Sequence, residues 1–412
     1  MDSVATSPEP AAAATPSVIE LEKKYLLQNY ARLPLVLTRG KGSYVYDTAG
    51  KRYLDLIAGI GVNALGHAHP RLMKVIREQS ARMIHCSNLY YHEYQGPLAE
   101  RIAKASGLDR VFFCNSGAEG TEGALKMVRS HGRKISHEKY ETVALNDSFH
   151  GRTFGALSIT GQEQYRRDFE PMLPGARFTP RNDIHALEQV VNERTAGIVL
   201  ELVQGESGIR PLDPDFVRKA RELADRYDAL LVFDETQCGV GRPGTYFSYQ
   251  MLDPVVMPDV MYAAKPIGCG IPLGFVAATE RAAAAIAPGM HGTTFGGGAL
   301  ACRVALEFFD VLDTLLPNIT STGSYFRVRL TELAKRHSFI KEVRGYGLMI
   351  GVELDFSGKQ IALDCMEEGL LINCTHTTVL RALPPYILTE QDVDRAIRVL
   401  DKVMKKAKPP QA

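Results

Sequence analysis

A strand–helix–strand pattern between residues 197 and 234 constrains this chain more than any other feature. GIVLELV (197–203) and ALLVFD (229–234) are almost continuously apolar runs. Between them, DPDFVRKARELADRY (213–227) puts Phe216, Val217, Ala220, Leu223, Ala224 and Tyr227 on one helical face. Asp213 followed by Pro214 offers an N-cap and a first-turn residue whose missing N–H is not needed there. Strands that are apolar on both faces are buried on both faces, and a helical crossover joins strands that run parallel. ETVALN (141–146) and PLGFVAAT (272–279) read as further buried strands. The pattern predicts an α/β fold, a mostly parallel sheet with helices on both sides.

From about residue 300 the pattern changes. A helical stretch over Ala299–Leu315 leads into another over Ile319–Lys335, then come short strand-like runs, FIKEVRGYG, LMIGVEL and LLINC, and an amphipathic helix near Glu390–Lys405. This predicts a smaller α+β unit. GSYVYDTAGKRYLDL, early in the chain, could join either unit. Residues 1–17 are rich in Ala, Pro and Ser without periodicity and are expected to form a flexible tail; KKAKPPQA at the other end has the same character. The expected organisation is a tail over 1–17, a segment over 18–70 contributing to the small domain, a large domain over 71–300 and the C-terminal small domain over 301–412.

Charge narrows the partners. Lys plus Arg (48) almost cancels Asp plus Glu (47), so nucleic acid and anionic membranes are not expected. A small molecule is. The seven cysteines contain no C-x-x-C pair and the histidines no metal spacing, so no metal is expected and free thiols in a reducing cytoplasm fit best. No signal-peptide pattern opens the sequence, and no apolar run approaches the ~20 residues of a membrane span.

In open α/β sheets, ligands collect at the carboxyl ends of strands. Three groups fall there. LLVF ends in Asp234, VMYAA ends in Lys265, and VFFC ends in Asn115-Ser116-Gly117-Ala118 where a helix begins. Each has an ordinary reading too: Ser116 with Glu119 makes a capping box, Asp234 could cap a helix, and a lysine after an apolar run is usually solvated. GCGIPLG (268–274) lacks the following helix and acidic residue of a dinucleotide site, which disfavours hydride transfer. Taken together with Phe149, the three groups match the needs of pyridoxal 5′-phosphate. That cofactor requires an amine for its aldehyde, a carboxylate against its pyridine nitrogen, a helix N-terminus for its phosphate and an aromatic ring to stack on. Lys265, Asp234, Gly117-Ala118 and Phe149 are candidates for these posts.

The order and spacing of these residues resemble the class III (ornithine-type) aminotransferases of pyridoxal-phosphate fold type I, the fold of aspartate aminotransferase. The resemblance runs from about Tyr30 to Arg381. It is carried by residues 39–70, NSGAEGTEGALK (115–126), FHGRTFGALSITG (149–161), LELVQGESG (200–208), LLVFDETQCGVGRPG (230–244), PDVMYAAKPIGCGIPLG (258–274) and HGTTFGG (291–297). It implies that Lys265 holds the cofactor as a Schiff base, Asp234 pairs with the ring nitrogen and Gln237 bonds the phenolic oxygen. Gly117 and Ala118 would cradle the phosphate, with Thr294 reaching in from the other subunit of a homodimer with shared active sites. Phe149 would stack on the ring, Arg152 would bind the substrate α-carboxylate, and Thr293 would lie beside the substrate, also across the boundary. Glu206 and Arg381 match a pair that opens and closes for different side chains, and Tyr30 a substrate contact. Within the family the sequence is most similar to the branch acting on N2-acetyl-L-ornithine and 2-oxoglutarate in arginine biosynthesis. Ornithine, succinyl-diaminopimelate, lysine-pathway amines and 4-aminobutyrate are alternative donors. A non-catalytic scaffold member would be expected to lose the lysine, aspartate or arginine, and all three are present.

Three departures from the family pattern stand out. Pro266 follows the lysine where Gly is usual, Gly120 and Gly123 sit inside the phosphate helix, and GGGALAC replaces GGNPLAC over 296–302. None of them removes a reacting group.

Overall fold

In the computed structural model, which describes residues 15–407, a helix over Thr15–Tyr25 leads into three short antiparallel strands, β1 (Leu37–Lys41), β2 (Tyr44–Asp47) and β3 (Arg52–Asp55). The tail expected over 1–17 lies outside the described residues up to position 14, and residues 15–17 belong to that helix instead. The chain then enters the larger sheet: β4 (Arg110–Cys114), β5 (Glu141–Leu145), β6 (Ala176–Thr179), β7 (Thr195–Leu200), the hairpin pair β8 (Val203–Gln204) and β9 (Arg210–Pro211), β10 (Leu230–Asp234), β11 (Val260–Ala263) and β12 (Gly274–Ala278). Seven of these are ordered β4-β12-β11-β10-β7-β5-β6. Every pairing from β11 to β6 is parallel, and β12 alone runs against its neighbours. A sheet with one reversed strand is the mostly parallel sheet expected from the apolar runs.

The alternation of side chains explains why those runs had to be apolar throughout. Ile198, Leu200, Leu231, Phe233, Met261 and Phe275 enter the core on one face, and Val199, Leu230, Val232, Val260, Tyr262 and Val276 the core on the other. Each such side chain contributes roughly 1.5–3 kcal/mol by leaving water. The crossover helix, Pro214–Arg226, buries Phe216, Val217, Ala220, Leu223 and Ala224 against the first face. Asp213 occupies its N-cap position without making a side-chain cap bond; Pro214 at the first helical position does the local work.

Beyond residue 298 the structure corrects one expectation. The two helical stretches are one helix, Ala299–Ala334, with Pro317 inside it. Buried Phe308, Leu312, Ile319 and Phe326 continue one apolar stripe across the proline, so packing outweighs the lost backbone hydrogen bond, a cost of about 3 kcal/mol. The following strands β13 (Ile340–Tyr346), β14 (Met349–Leu354), β16 (Asn373–Thr375) and β17 (Val379–Ala382) form an antiparallel sheet, and β15 (Leu370–Leu371) pairs parallel with β3. The early strands thus share a sheet with the C-terminal segment. A helix over Glu390–Met404 follows, capped by Thr389 and Asp392 in a reciprocal box. Among the described residues no helix is long and apolar enough to cross a membrane, and no cluster of His, Cys, Asp and Glu could hold a metal ion.

Candidate active site

The carboxyl ends of β7, β10 and β11, with the turn after β4, open into one cavity of about 460 Å³. Lys265, Asp234, Gly117, Ala118, Phe149, Arg152 and Gln237 all line it. Residues far apart in sequence meet there because parallel strands deliver their ends to the same edge.

Asp234 is buried, 4% exposed, and fully engaged. Its Oδ2 accepts hydrogen bonds from Tyr262 Oη at 2.9 Å and faces His150 Nδ1 at 2.8 Å, while Oδ1 accepts from the Thr236 N–H at 2.9 Å. Burial alone would push this carboxyl up; the His150 contact and the Thr236 bonds outweigh it and hold it below the usual carboxylate range. The imidazole behaves reciprocally. Burial lowers the proton affinity of His150, but the Asp234 hydrogen bond and charge raise it above the usual histidine range. The two shifts reinforce one another: Asp234 is held ionised by a His150 that keeps its proton more firmly than a solvated imidazole does.

Lys265 follows β11 in a left-handed backbone conformation, φ 44°, at the start of a short 3-10 turn with Pro266 next. Proline's fixed φ suits that first-turn position. Cys269 and Gly270 also have positive φ, which folds the loop sharply back beside the lysine. Burial is the largest influence on the Lys265 amine and lowers its proton affinity; Glu206 opposes this, and Arg381 reinforces it. An amine so placed is a better nucleophile and base at neutral pH than a solvated one.

Ser116 caps the 19-residue helix Gly117–Ile135, its Oγ accepting from the Glu119 N–H at 3.2 Å. The Glu119 carboxylate bonds Asn115 N and Nδ2 rather than closing the box on Ser116. Capping and anion binding are compatible here: Gly117 and Ala118 line the cavity at the helix start, where N–H groups lack intrahelical partners. A Cβ on Gly117 would lie 2.5 Å from Thr236 Cγ2, so only glycine allows this close approach. Gly120 packs against Tyr262, and Gly123 against Val276 and His291, which explains glycines inside the helix.

Gln237 does more than expected. Its Nε2 donates to Glu206 Oε1 at 3.1 Å and its Oε1 accepts from Arg381 at 3.1 Å, beside a direct Arg381–Glu206 ion pair at 2.7 Å. Burial opposes ionisation of Glu206, yet Arg381 holds its carboxyl below the usual range. Phe149 meets Tyr165 edge-on, and the Arg152 guanidinium lies 3.8 Å from the Tyr165 ring centre. Arg152 also lines a second recess, about 400 Å³, with Asn29, Tyr30, Phe154, Leu157, Tyr165 and Phe169.

Four of the expected residues do not line this chain's cavity. Arg381 pairs with Glu206 and Gln237, and Tyr30 lies in the second recess. Thr293 and Thr294, expected to act across a subunit boundary, are on the loop that follows His291. Thr294 is exposed on its loop, and Thr293 Oγ1 instead accepts from Asn115 Nδ2 at 3.0 Å. Conversely, the sequence reading missed His150, Tyr262, Thr236 and Glu201. Glu201 follows β7 directly, so the strand-end rule that singled out Asp234 would have found it. His150 lies between two residues already singled out, Phe149 and Arg152, and carried no metal spacing to draw attention.

The residues fit pyridoxal phosphate: a close-approach glycine at a helix N-terminus, a buried carboxylate held ionised, an amine with lowered proton affinity, and buried Thr236 Oγ1 without a protein partner. Sequence and structure comparisons agree. The family model "Aminotransferase class-III" matches residues 25–404. The acetylornithine aminotransferase of Methanocaldococcus jannaschii is 46% identical over 95% of this chain and 98% of its own. A structure of the ornithine aminotransferase of Toxoplasma gondii, described with partial occupancy of pyridoxal phosphate at its active site, superposes with a TM-score of 0.91 at 30% identity, covering 95% of this chain and 94% of that one. The N-acetylornithine aminotransferase of Stenotrophomonas maltophilia gives 0.81 at 33%, covering 94% and 98%. This chain belongs to the class III aminotransferases, pyridoxal-phosphate enzymes that pass an amino group from a donor to a keto acid.

Proposed function

We propose that this enzyme transfers the terminal amine of N2-acetyl-L-ornithine to 2-oxoglutarate, giving N-acetyl-L-glutamate 5-semialdehyde and L-glutamate, a step of arginine biosynthesis. The observation that carries the choice of donor is the recess beside Arg152. Asn29, Tyr30, Phe154, Leu157, Tyr165 and Phe169 share it with Arg152, and none of these carries a carboxylate. If Arg152 holds the α-carboxylate, the α-nitrogen on the side of this recess meets no acid to receive an ammonium, and Glu206 in the first cavity is already taken by Arg381. A neutral amide suits that side better. The likeness to relatives named acetylornithine aminotransferase supports the same donor.

When bound, the cofactor supplies an electron sink that acidifies the carbon carrying the amine. The chain's own residues then have distinct tasks. Lys265, with its lowered proton affinity, would hold the cofactor and afterwards take the proton from that carbon of the donor and, in the second half-reaction, deliver one to the corresponding carbon of the keto acid. Asp234, backed by His150, would present its negative charge to the ring nitrogen. Gly117 and Ala118 receive the phosphate, Phe149 covers one face of the ring, Gln237 serves the phenolic oxygen, and Arg152 grips the carboxylate common to donor and acceptor. Glu206 neutralises Arg381 while a donor without a second carboxylate is bound, and their separation frees Arg381 for the far carboxylate of 2-oxoglutarate.

The same reading assigns Thr294 and Thr293 to a partner's site in a closed two-fold dimer. Its support is the exposed loop, flanked by Ile84, Leu89, Tyr90, Tyr91, Met290 and Phe295, all large apolar side chains in the open. We also assign residues 71–300 to a large cofactor-binding domain, and 18–70 with 301–412 to a small one, supported by the β3–β15 pairing. A reducing cytoplasm suits the seven free cysteines. The deciding experiment ranks ω-amino donors by kcat/KM with 2-oxoglutarate. Acetylornithine is expected to exceed ornithine by at least about tenfold, ~1.4 kcal/mol. Equal or better use of ornithine would replace the assignment with ornithine or a broader ω-amine.

A further inference from the structure

Glu201 lines the cavity and takes no part in the chemistry described so far. It is 6% exposed, and its two oxygens hold two different stretches of backbone: Oε1 accepts from the Phe149 N–H at 2.8 Å and Oε2 from the Gly205 N–H at 3.4 Å. Phe149 covers the ring site, and Gly205 immediately precedes Glu206. One carboxyl therefore spans the stacking residue and the Glu206–Arg381 pair.

We propose that Glu201 is a positioning residue that ties Phe149 to the Glu206 loop and, by gaining or losing its proton, alters how firmly His150 keeps its own proton against Asp234. The charged and titratable groups facing it come from every neighbouring element. They are His150 from the loop after β5, Asp234 at the end of β10, Tyr262 on β11 and Lys265 after it. Glu206 and Arg152 line the same cavity. Burial pushes the Glu201 carboxyl up to about 7, with His150 opposing and Asp234 reinforcing the rise. Near neutrality it therefore changes charge inside the network. When ionised, it favours the imidazolium of His150 and disfavours the carboxylate of Asp234; when protonated, it does the reverse.

This inference rests on the cavity being the cofactor site and is independent of the donor. The test uses full-length holoenzyme with isotope-labelled histidine, the His150 signal being assigned by its absence from His150→Gln. In the wild type, the His150 ring resonances are expected to step near pH 7 as Glu201 titrates. In Glu201→Gln the step should vanish. A flat His150 signal between pH 6 and 8 in the wild type, or a step surviving in Glu201→Gln, overturns the electrostatic role. The wild-type titration decides this even if the variant folds poorly. For the anchoring role, Glu201→Asp keeps the charge but shortens the arm, and should release pyridoxal phosphate threefold to tenfold more readily, the range for one lost hydrogen bond. Wild-type retention in that variant overturns the anchor. A wrong donor would leave both readouts unchanged, and a wrong cofactor would fail in wild-type binding while sparing the His150 titration.

Discussion

Asp234 and Thr294 were both expected to serve the cofactor, and the structure treats them in opposite ways. Asp234 lies at the floor of the cavity with His150, Tyr262 and Thr236 saturating its oxygens. Thr294 lies on an exposed loop beside Phe295, which is 67% exposed, and does not line this chain's cavity. Arg152 and Tyr30 belong with the second region: aromatic, open, and free of ion pairs among the described residues. The floor is organised by one chain before any ligand arrives. The rim residues are open and carry few fixed polar contacts. Electrostatic groups that must act on a transition state benefit from being fixed in advance, whereas groups that admit and release substrates need access.

The largest effect should come from the floor. Lys265→Ala is expected to lower kcat by at least ~10⁴-fold, because nucleophile and proton-transfer base are lost together. Wild-type protein should be yellow and carry a borohydride-fixed label on Lys265; a colourless protein that cannot be reconstituted would break the assignment of the whole floor. Asp234→Asn comes next, with kcat expected to fall ~10²–10⁴-fold. It also strands His150, so unfolding measurements should show a loss of about 3–5 kcal/mol, the usual result of removing one partner of a buried ion pair. Near-wild-type kcat would reduce Asp234 to a structural carboxylate.

On the rim, Arg152→Ala should cost roughly 2–5 kcal/mol in kcat/KM for donor and 2-oxoglutarate alike. Stopped-flow measurement of each half-reaction checks this, and a loss confined to one half would place the shared carboxylate elsewhere. Thr294→Ala should cost less, about tenfold, and in a way that distinguishes the two regions. Mixing it with Lys265→Ala subunits should restore one intact site per heterodimer. No regain on mixing would assign Thr294 to its own chain. The smallest effect concerns Glu235, beside Asp234, whose carboxylate accepts from Ser248 N–H and Oγ and from Tyr249 N–H. Burial pushes it up to about 7. The native state therefore holds a proton that the unfolded chain releases near 4.5, so this group's contribution is full below ~4.5 and is lost as pH rises to about 7. The melting temperature should decline by a few degrees over that window, and Glu235→Gln should flatten the decline.

The floor was far more legible in the sequence than its wiring. Buried strands announce themselves by uninterrupted apolar runs, and Asp234 and Lys265 by standing where such runs stop. The partners of Asp234 were invisible for a topological reason: His150 lies 84 positions away and Tyr262 28, and the β5–β7–β10–β11 neighbourhood brings them together. The break expected between Leu315 and Ile319 is absent because a continuous buried stripe carries the helix across Pro317. The rim's roles came from resemblance alone, since exposed Thr294 and Arg152 carry no periodic signal.

The helix Ala299–Ala334 has a mechanical consequence. It packs against the Lys265–Gly268 turn, against β13 and β14, and against the C-terminal helix Glu390–Met404. It is a single rod touching both the turn that begins at Lys265 and the C-terminal sheet that carries Arg381. Any tilt of that sheet must either carry the lysine turn with it or flex the rod, and a helix missing a rung at an internal proline flexes there most easily. Pro317 thus behaves as a joint in a lever. A displacement of the C-terminal sheet would reach the lysine turn only to the extent that this joint stayed straight.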